Sequence, residues 1–172
     1  QIAKYESMVD LMGAKPGDHV LEIGCGWGGF AEYAAKERGL KVTGLTISQE
    51  QYDYAKARIQ KAGLSEQVDF KLQDYRDERG MYDGIASIEM FEAVGEQYWP
   101  VYFTTLRERL KPGKNATLQI ITVEDSRFEI YRKSVDFIQK YIFPGGMLPS
   151  PSVLRDEVEK AGLSVMKSIE FG

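Results

Sequence analysis

The 172-residue sequence holds one cysteine, Cys25, and one histidine, His19. A single cysteine excludes an internal disulfide framework and any cysteine-rich zinc site, and a single histidine leaves no multi-histidine metal centre. No apolar run approaches the ~20 residues of a membrane-spanning helix. Clustered basic residues are also missing: 22 Lys and Arg face 26 Asp and Glu, for a net charge of −4. That balance argues against a nucleic-acid partner and permits a cationic ligand. There is no internal repeat, low-complexity tract or linker. The lone cysteine fits a reducing, cytoplasmic setting.

What is present is an ordinary globular composition, 43% hydrophobic and 28% charged, at the length of one α/β domain. Hydrophobic runs alternate with helical patterns, as βαβ units around a parallel sheet require. The reading is a leading helix from Ile2 to Met12, a first strand His19–Ile23, and a helix Gly29–Arg38. A second strand Lys41–Thr46 and a helix running to Lys61 follow. Ser48 and Gln51 are spaced as a capping box for that helix. Further strands are expected at Val68–Leu72, Tyr82–Ile88 and Thr117–Val123, with a helix from Tyr98 to Leu110 between the last two. Beyond these, Phe128, Tyr131, Val135, Ile138 and Ile142 form one apolar helical stripe. A helix Pro151–Ala161 and a strand Ser164–Phe171 complete the pattern. The expected fold is a doubly wound, Rossmann-like sheet whose ligand lies at the carboxyl ends of its strands.

The segment Glu22-Ile23-Gly24-Cys25-Gly26-Trp27-Gly28-Gly29 follows a strand and opens a helix, where glycines let the backbone turn tightly and approach a ligand. Gly24, Gly26 and Gly29 fit the dinucleotide fingerprint. Gly24, Gly26 and Gly28, preceded by Glu22, fit the pattern common in methyltransferases. A dinucleotide site places an acid about 20 residues further on, whereas the second strand here ends Gly44-Leu45-Thr46-Ile47-Ser48. An acid before the turn also suits an ammonium and a sulfonium better than a pyrophosphate. The reading is S-adenosylmethionine, with a tight turn that binds nothing as the plain alternative.

Together with Thr46-Ile47-Ser48-Gln49-Glu50-Gln51, Gln73-Asp74-Tyr75-Arg76-Asp77, Met90-Phe91-Glu92-Ala93-Val94-Gly95 and Lys140–Ser150, this turn resembles the cyclopropane-fatty-acid synthase and mycolic acid cyclopropane synthase family. The resemblance implies a class I methyltransferase fold. It implies cofactor contacts from Gly24, Cys25, Gly26 and Gly28, from Thr46 and Gln51 at the ribose, from Asp74 and Tyr75 at the adenine, and from Ile88 beneath. It places Glu92, Gln119 and Ile121 in the catalytic pocket, with a bicarbonate ion as base. The implied substrate is the cis double bond of an unsaturated phospholipid acyl chain, met at the inner membrane face.

The sequence departs from the family pattern in three places. Ala93 stands where a histidine is usual, Gln119 replaces another histidine, and Glu89 occupies a position that is often glycine. A glutamine amide donates a hydrogen bond but carries no proton for exchange. The family sheet also ends in a further strand, so the chain is expected to be a fragment of a single methyltransferase domain, with a lid-like helical insertion at about 126–149. Two other functions stay open: a small-molecule N- or C-methyltransferase, and a non-catalytic cofactor-binding module. Glu89 is expected to face solvent or pair with an arginine. Cys25 and Trp27 are expected to be turn and wall residues, and His19 to lie at the surface.

Overall fold

The computed structural model describes residues 1–134 and 145–170. Five parallel strands, β1 (His19–Ile23), β2 (Lys41–Thr46), β3 (Val68–Leu72), β4 (Tyr82–Ile88) and β5 (Leu110–Gln119), lie in the order β3-β2-β1-β4-β5. The helices are α1 (Ile2–Met12), α2 (Gly29–Arg38), α3 (Gln49–Lys61), α4 (Trp99–Arg109), α5 (Asp125–Lys133) and α6 (Pro151–Lys160). The chain forms two compact units. One comprises Gln1–Met90 and Glu108–Gln119; the other comprises Phe91–Arg107 and Ile120–Gly172.

The first unit carries the sheet. Register aligns Val20 with Val42 and Val42 with Val68, so three valines share one face. Against that face pack Met8, Val9 and Met12 of α1, Phe30, Ala31 and Ala34 of α2, and Ala55 and Ile59 of α3. Small alanines let α2 lie close. Helix ends follow their sequence signals: Gly13 and Gly39 close α1 and α2 in the left-handed conformation, as glycine after a helix does. Ser48 Oγ accepts from Gln51 N–H. The box is only half made, because the Gln51 side chain turns instead to Thr46.

The structure departs from three expectations. The fifth strand was expected at Thr117–Val123 but runs Leu110–Gln119, since its partner β4 ends at Ile88, paired with Gln119. It starts early because the Lys111-Pro112-Gly113 segment, expected to end the helix, sits in an irregularity where the register jumps from Tyr82↔Leu110 to Gly84↔Asn115. A bulge is where a strand tolerates proline. The second correction is the strand Ser164–Phe171: residues 164–170 form none. Val165, Met166 and Ile169 stay exposed, and strand propensity without a neighbour to complete the ladder makes no strand. Residues 171 and 172 lie outside the described residues. Third, His19 is half-buried. Its Nε2 is 2.8 Å from Thr43 Oγ1 and its ring meets Tyr82 edge-on; burial lowers its pKa.

The second unit is built around an aromatic cluster. Phe91 stacks on Trp99 at 5.5 Å and meets Tyr102 and Phe103 at 5.0 and 5.3 Å. Asp125 in the first turn of α5 accepts from Ser152 N–H and Oγ at the start of α6. Of the expected Phe128–Ile142 stripe, Phe128 is buried on α5, which ends at Lys133; Val135, Ile138 and Ile142 lie outside the described residues.

Glu78 joins β3, β4 and the 3-10 turn Tyr75–Asp77. Its carboxylate accepts from Lys71 Nζ, Gln73 Nε2, the N–H groups of Arg79 and Gly80, and Tyr82 Oη. Burial alone would raise its pKa, but these donors, led by Gly80 N–H, outweigh burial and hold it at about 2, against 4.5 for a free glutamate. A depressed folded-state pKa adds stability that is complete above the unfolded value and is lost on acidification. The stability of this chain is therefore expected to fall as pH drops from about 4.5 to about 2, and Glu78→Gln to remove that part of the slope. Urea melts at stepped pH check it; an unchanged slope in the variant would contradict the assignment.

Candidate cofactor and methyl-transfer site

β1 is the strand from which the order runs both ways, to β2 and to β4, so a crevice opens beyond its carboxyl end. The glycine turn lies there. Gly24 and Cys25 N–H groups both donate to Leu45 O, at 3.0 and 2.9 Å, which folds the turn against the end of β2. Gly24 has φ 77°, and a Cβ there would come 2.7 Å from Met90 Cγ. Gly28, at φ 79°, would meet Ala55 and Phe70. Both positions need a left-handed backbone and lack room for a side chain.

Glu22 ends this cradle on the protein side. It is buried, its Oε2 has no hydrogen-bond partner among the described residues, and burial pushes its pKa well up. An ion without a partner in such a place is costly, so a cationic ligand answers an unmet demand. Tyr5 of α1 crosses above the turn: its hydroxyl lies 2.7 Å from where a Gly29 Cβ would stand. Burial first, then Glu22, raises the Tyr5 pKa. Cys25 is buried, and burial together with Glu22 pushes its thiol up to about 12. That suits a wall residue and not a nucleophile.

At the end of β2, Thr46 Oγ1 donates to Gln51 Oε1 at 2.9 Å and accepts from Ser48 N–H at 3.1 Å. With its oxygen engaged, the Gln51 amide has Nε2 to donate to a ribose hydroxyl. Asp74 caps the turn Tyr75–Asp77. Its Oδ1 accepts from Arg76 N–H and Nε, its Oδ2 from Arg76 Nη2 at 2.7 Å, and the Arg76 side chain holds its pKa down. Tyr75 is buried, which pushes its pKa to about 12. Ile88 ends β4 beside Gln119. The nine expected cofactor residues thus share one unit, around the carboxyl ends of β1, β2 and β4 and the loop after β3. An orphaned buried carboxylate, a cradle closed to side chains and a free amide donor fit S-adenosylmethionine.

The three expected catalytic residues divide. Glu92 and Ile121 meet in the second unit: Glu92 is buried, its Oε1 accepts from Ile121 N–H at 2.6 Å, and its Oε2 has no partner among the described residues. Glu92 O also accepts from Met147 N–H. The Ile121 side chain is 52% exposed, so its structural contribution to this pair is backbone. Gln119, in the first unit, donates from Nε2 to Glu89 Oε1 at 3.1 Å, and its Oε1 is buried without a partner.

Sequence reasoning missed the residues that support the site. Met90 over Gly24 and Tyr5 over Gly29 come from distant elements, and Glu78 sits in a charge run that reads as solvated. Glu89 is exposed, as one of its two expectations had it, and its ion-pair partner is Lys4 and not an arginine; its φ of 51° is the one positive value at a non-glycine among the described residues. The signal available was its place in a position often held by glycine. Among the described residues no helix is long and apolar enough to cross a membrane, and no His, Cys, Asp and Glu cluster could hold a metal.

A five-stranded parallel sheet in this order, with a glycine turn after its central strand, is the class I methyltransferase fold. The family profile described as mycolic acid cyclopropane synthetase matches residues 1–172, and the chain belongs to that family. The chain is 43% identical over 156 residues to a tuberculostearic acid methyltransferase, UfaA1, of Mycobacterium tuberculosis, covering 91% of this chain and 36% of that one. Over 151 residues it is 41% identical to the cyclopropane-fatty-acyl-phospholipid synthase of Escherichia coli K12, covering 87% and 37%. It therefore spans little over a third of the length of these relatives. The crystal structure of mycolic acid cyclopropane synthase CmaA1 with SAH and CTAB superposes with a TM-score of 0.86 at 27% identity, over 97% of this chain and 62% of that one.

Replacing Glu22 separates stability from binding. A buried glutamate with a raised pKa favours the folded state at low pH and loses that advantage as pH rises above the unfolded value. Glu22→Gln is expected to raise the neutral-pH melting temperature of the ligand-free protein and to weaken S-adenosylmethionine binding about tenfold or more, as the loss of a buried ionic partner does. Differential scanning and titration calorimetry on the same sample check both signs. A variant that binds as well as the parent would remove Glu22 from the cofactor site.

Proposed function

We propose that this chain serves S-adenosylmethionine-dependent methyl transfer to the cis double bond of an unsaturated fatty-acyl phospholipid, giving a cyclopropane or a methyl-branched or methylene product. The observation that carries it is the buried Glu92 carboxylate, with one oxygen on Ile121 N–H and the other without a partner. An acceptor of that kind suits a chemistry that must receive or hold a proton away from water. The cofactor supplies an electrophilic methyl group on a sulfonium. Glu22 and the Gly24–Gly28 turn take its methionine part, Thr46 and Gln51 its ribose, Asp74 and Tyr75 its adenine, with Ile88 below. Glu92, Gln119 and the Ile121 backbone act at the acceptor, where the family resemblance implies an anionic base.

The relatives support an acyl substrate: one is named for tuberculostearic acid, another for fatty-acyl phospholipid. The protein would meet its substrate at the cytoplasmic membrane surface. A second reading, a small-molecule N- or C-methyltransferase, draws on Ala93 and Gln119, since an amine nucleophile needs no base of this kind. Lipids from cells expressing the full-length protein and fed cofactor labelled at its methyl group decide between them. Unsaturated phospholipids are expected to gain one labelled CH2, with proton NMR distinguishing a ring, which has lost the double bond, from a methylene group, which keeps one. Unlabelled lipids from cofactor-binding enzyme would favour the second reading.

A further inference from the structure

Glu89 stands at the carboxyl end of β4, one residue beyond Ile88 and one before Met90, whose side chain lies on Gly24. The crevice at β1 and β4 is where this fold binds its ligand, so Glu89 borders it. Its backbone is left-handed, which a side chain bearing a Cβ disfavours, and two ties hold it: Glu89 N–H donates to Gln119 O at 3.0 Å, and Glu89 Oε1 accepts from Gln119 Nε2 at 3.1 Å. Lys4 Nζ of α1 reaches the same oxygen at 2.9 Å. Both donors meet Oε1, and neither engages Oε2.

The Gln119 amide is the donor that would otherwise hold an external anion at the end of β5. A carboxylate of the chain's own already occupies it. From this geometry we infer that Glu89 is the general base of the reaction, taking through Oε2 the proton lost from the transferred methyl group. The inference rests on the alkene-methylation reading above. Once an alkene carbon has bonded to the methyl carbon, its neighbour is a carbocation. A methyl C–H bond then breaks, its electron pair forms the third side of the ring, and the proton bonds to Glu89 Oε2 before passing to water. After a hydride shift the same proton loss gives a methylene group. A proton beside a carbocation is acidic enough for a carboxylate to accept it, so what matters is placement. Lys4 and Gln119 supply the placement.

The test uses the full-length enzyme with labelled cofactor and unsaturated phospholipid vesicles. Glu89→Gly suits the left-handed backbone and removes the carboxylate, whereas Glu89→Gln keeps the bulk. Both are expected to bind S-adenosylmethionine as the parent does and to lose about a hundredfold or more in product formation. Added formate or bicarbonate is expected to restore Glu89→Gly, where space has opened, and not Glu89→Gln. The inference is overturned if either variant keeps the parental rate, if cofactor binding fails with it, or if neither anion rescues Glu89→Gly. A parent enzyme that labels no lipid would overturn the alkene reading, and the base with it; a parent that labels lipid alongside fully active variants would overturn the base alone.

Discussion

Parallel pairing of β1 with β2 on one side and β4 on the other is the constraint on which the site depends. Each strand end is fixed by its neighbour's register: Ile23 against Leu45, Ile88 against Gln119. Because the strand order runs from β1 to β2 on one side and to β4 on the other, a crevice opens at the carboxyl end of β1. The glycine turn lies there, with the Met90 side chain against Gly24 and the Tyr5 hydroxyl against Gly29. Small displacements of β4 would carry Met90 into Gly24, so cradle and sheet are one mechanical part.

Carboxylates divide the work by their surroundings. Glu78, surrounded by five donors, is a structural ion that ties the loop after β3 to the sheet. Glu22, buried with an oxygen unpartnered, is poised against its own charge and gains from a cation. Glu92 shares that unmet acceptor but is tethered by a backbone N–H. Glu89, half in solvent, is held by an ammonium and an amide. One residue type thus meets four different environments because burial and donor count differ at each place.

Where the family resemblance implies two histidines, this chain has Ala93 and Gln119. Ala93 and Gln119 remove groups that exchange protons, while Glu89 brings a carboxylate to the Gln119 amide. That contact joins side chains at the ends of two adjacent strands, β4 and β5. It also engages α1 through Lys4, an element whose first task is covering the sheet with Met8, Val9 and Met12.

Strands β1 to β4, helices α1 to α3 and the position of the glycine turn were legible from the sequence alone, because periodicity, caps and turn glycines are local signals. The half-made box at Ser48 and the buried state of Cys25 were nearly legible for the same reason. Tertiary structure decided the rest. Where β5 begins and ends is dictated by β4, which a reading of Thr117–Val123 could not contain, and Ser164–Phe171 has strand propensity without a strand beside it. His19 found Thr43 and Tyr82 across the sheet, and Glu89 found Lys4 and Gln119 from positions 85 and 30 residues away. Hydrogen bonds across such separations depend on how the strands stack, and only the folded chain brings their donors and acceptors within reach.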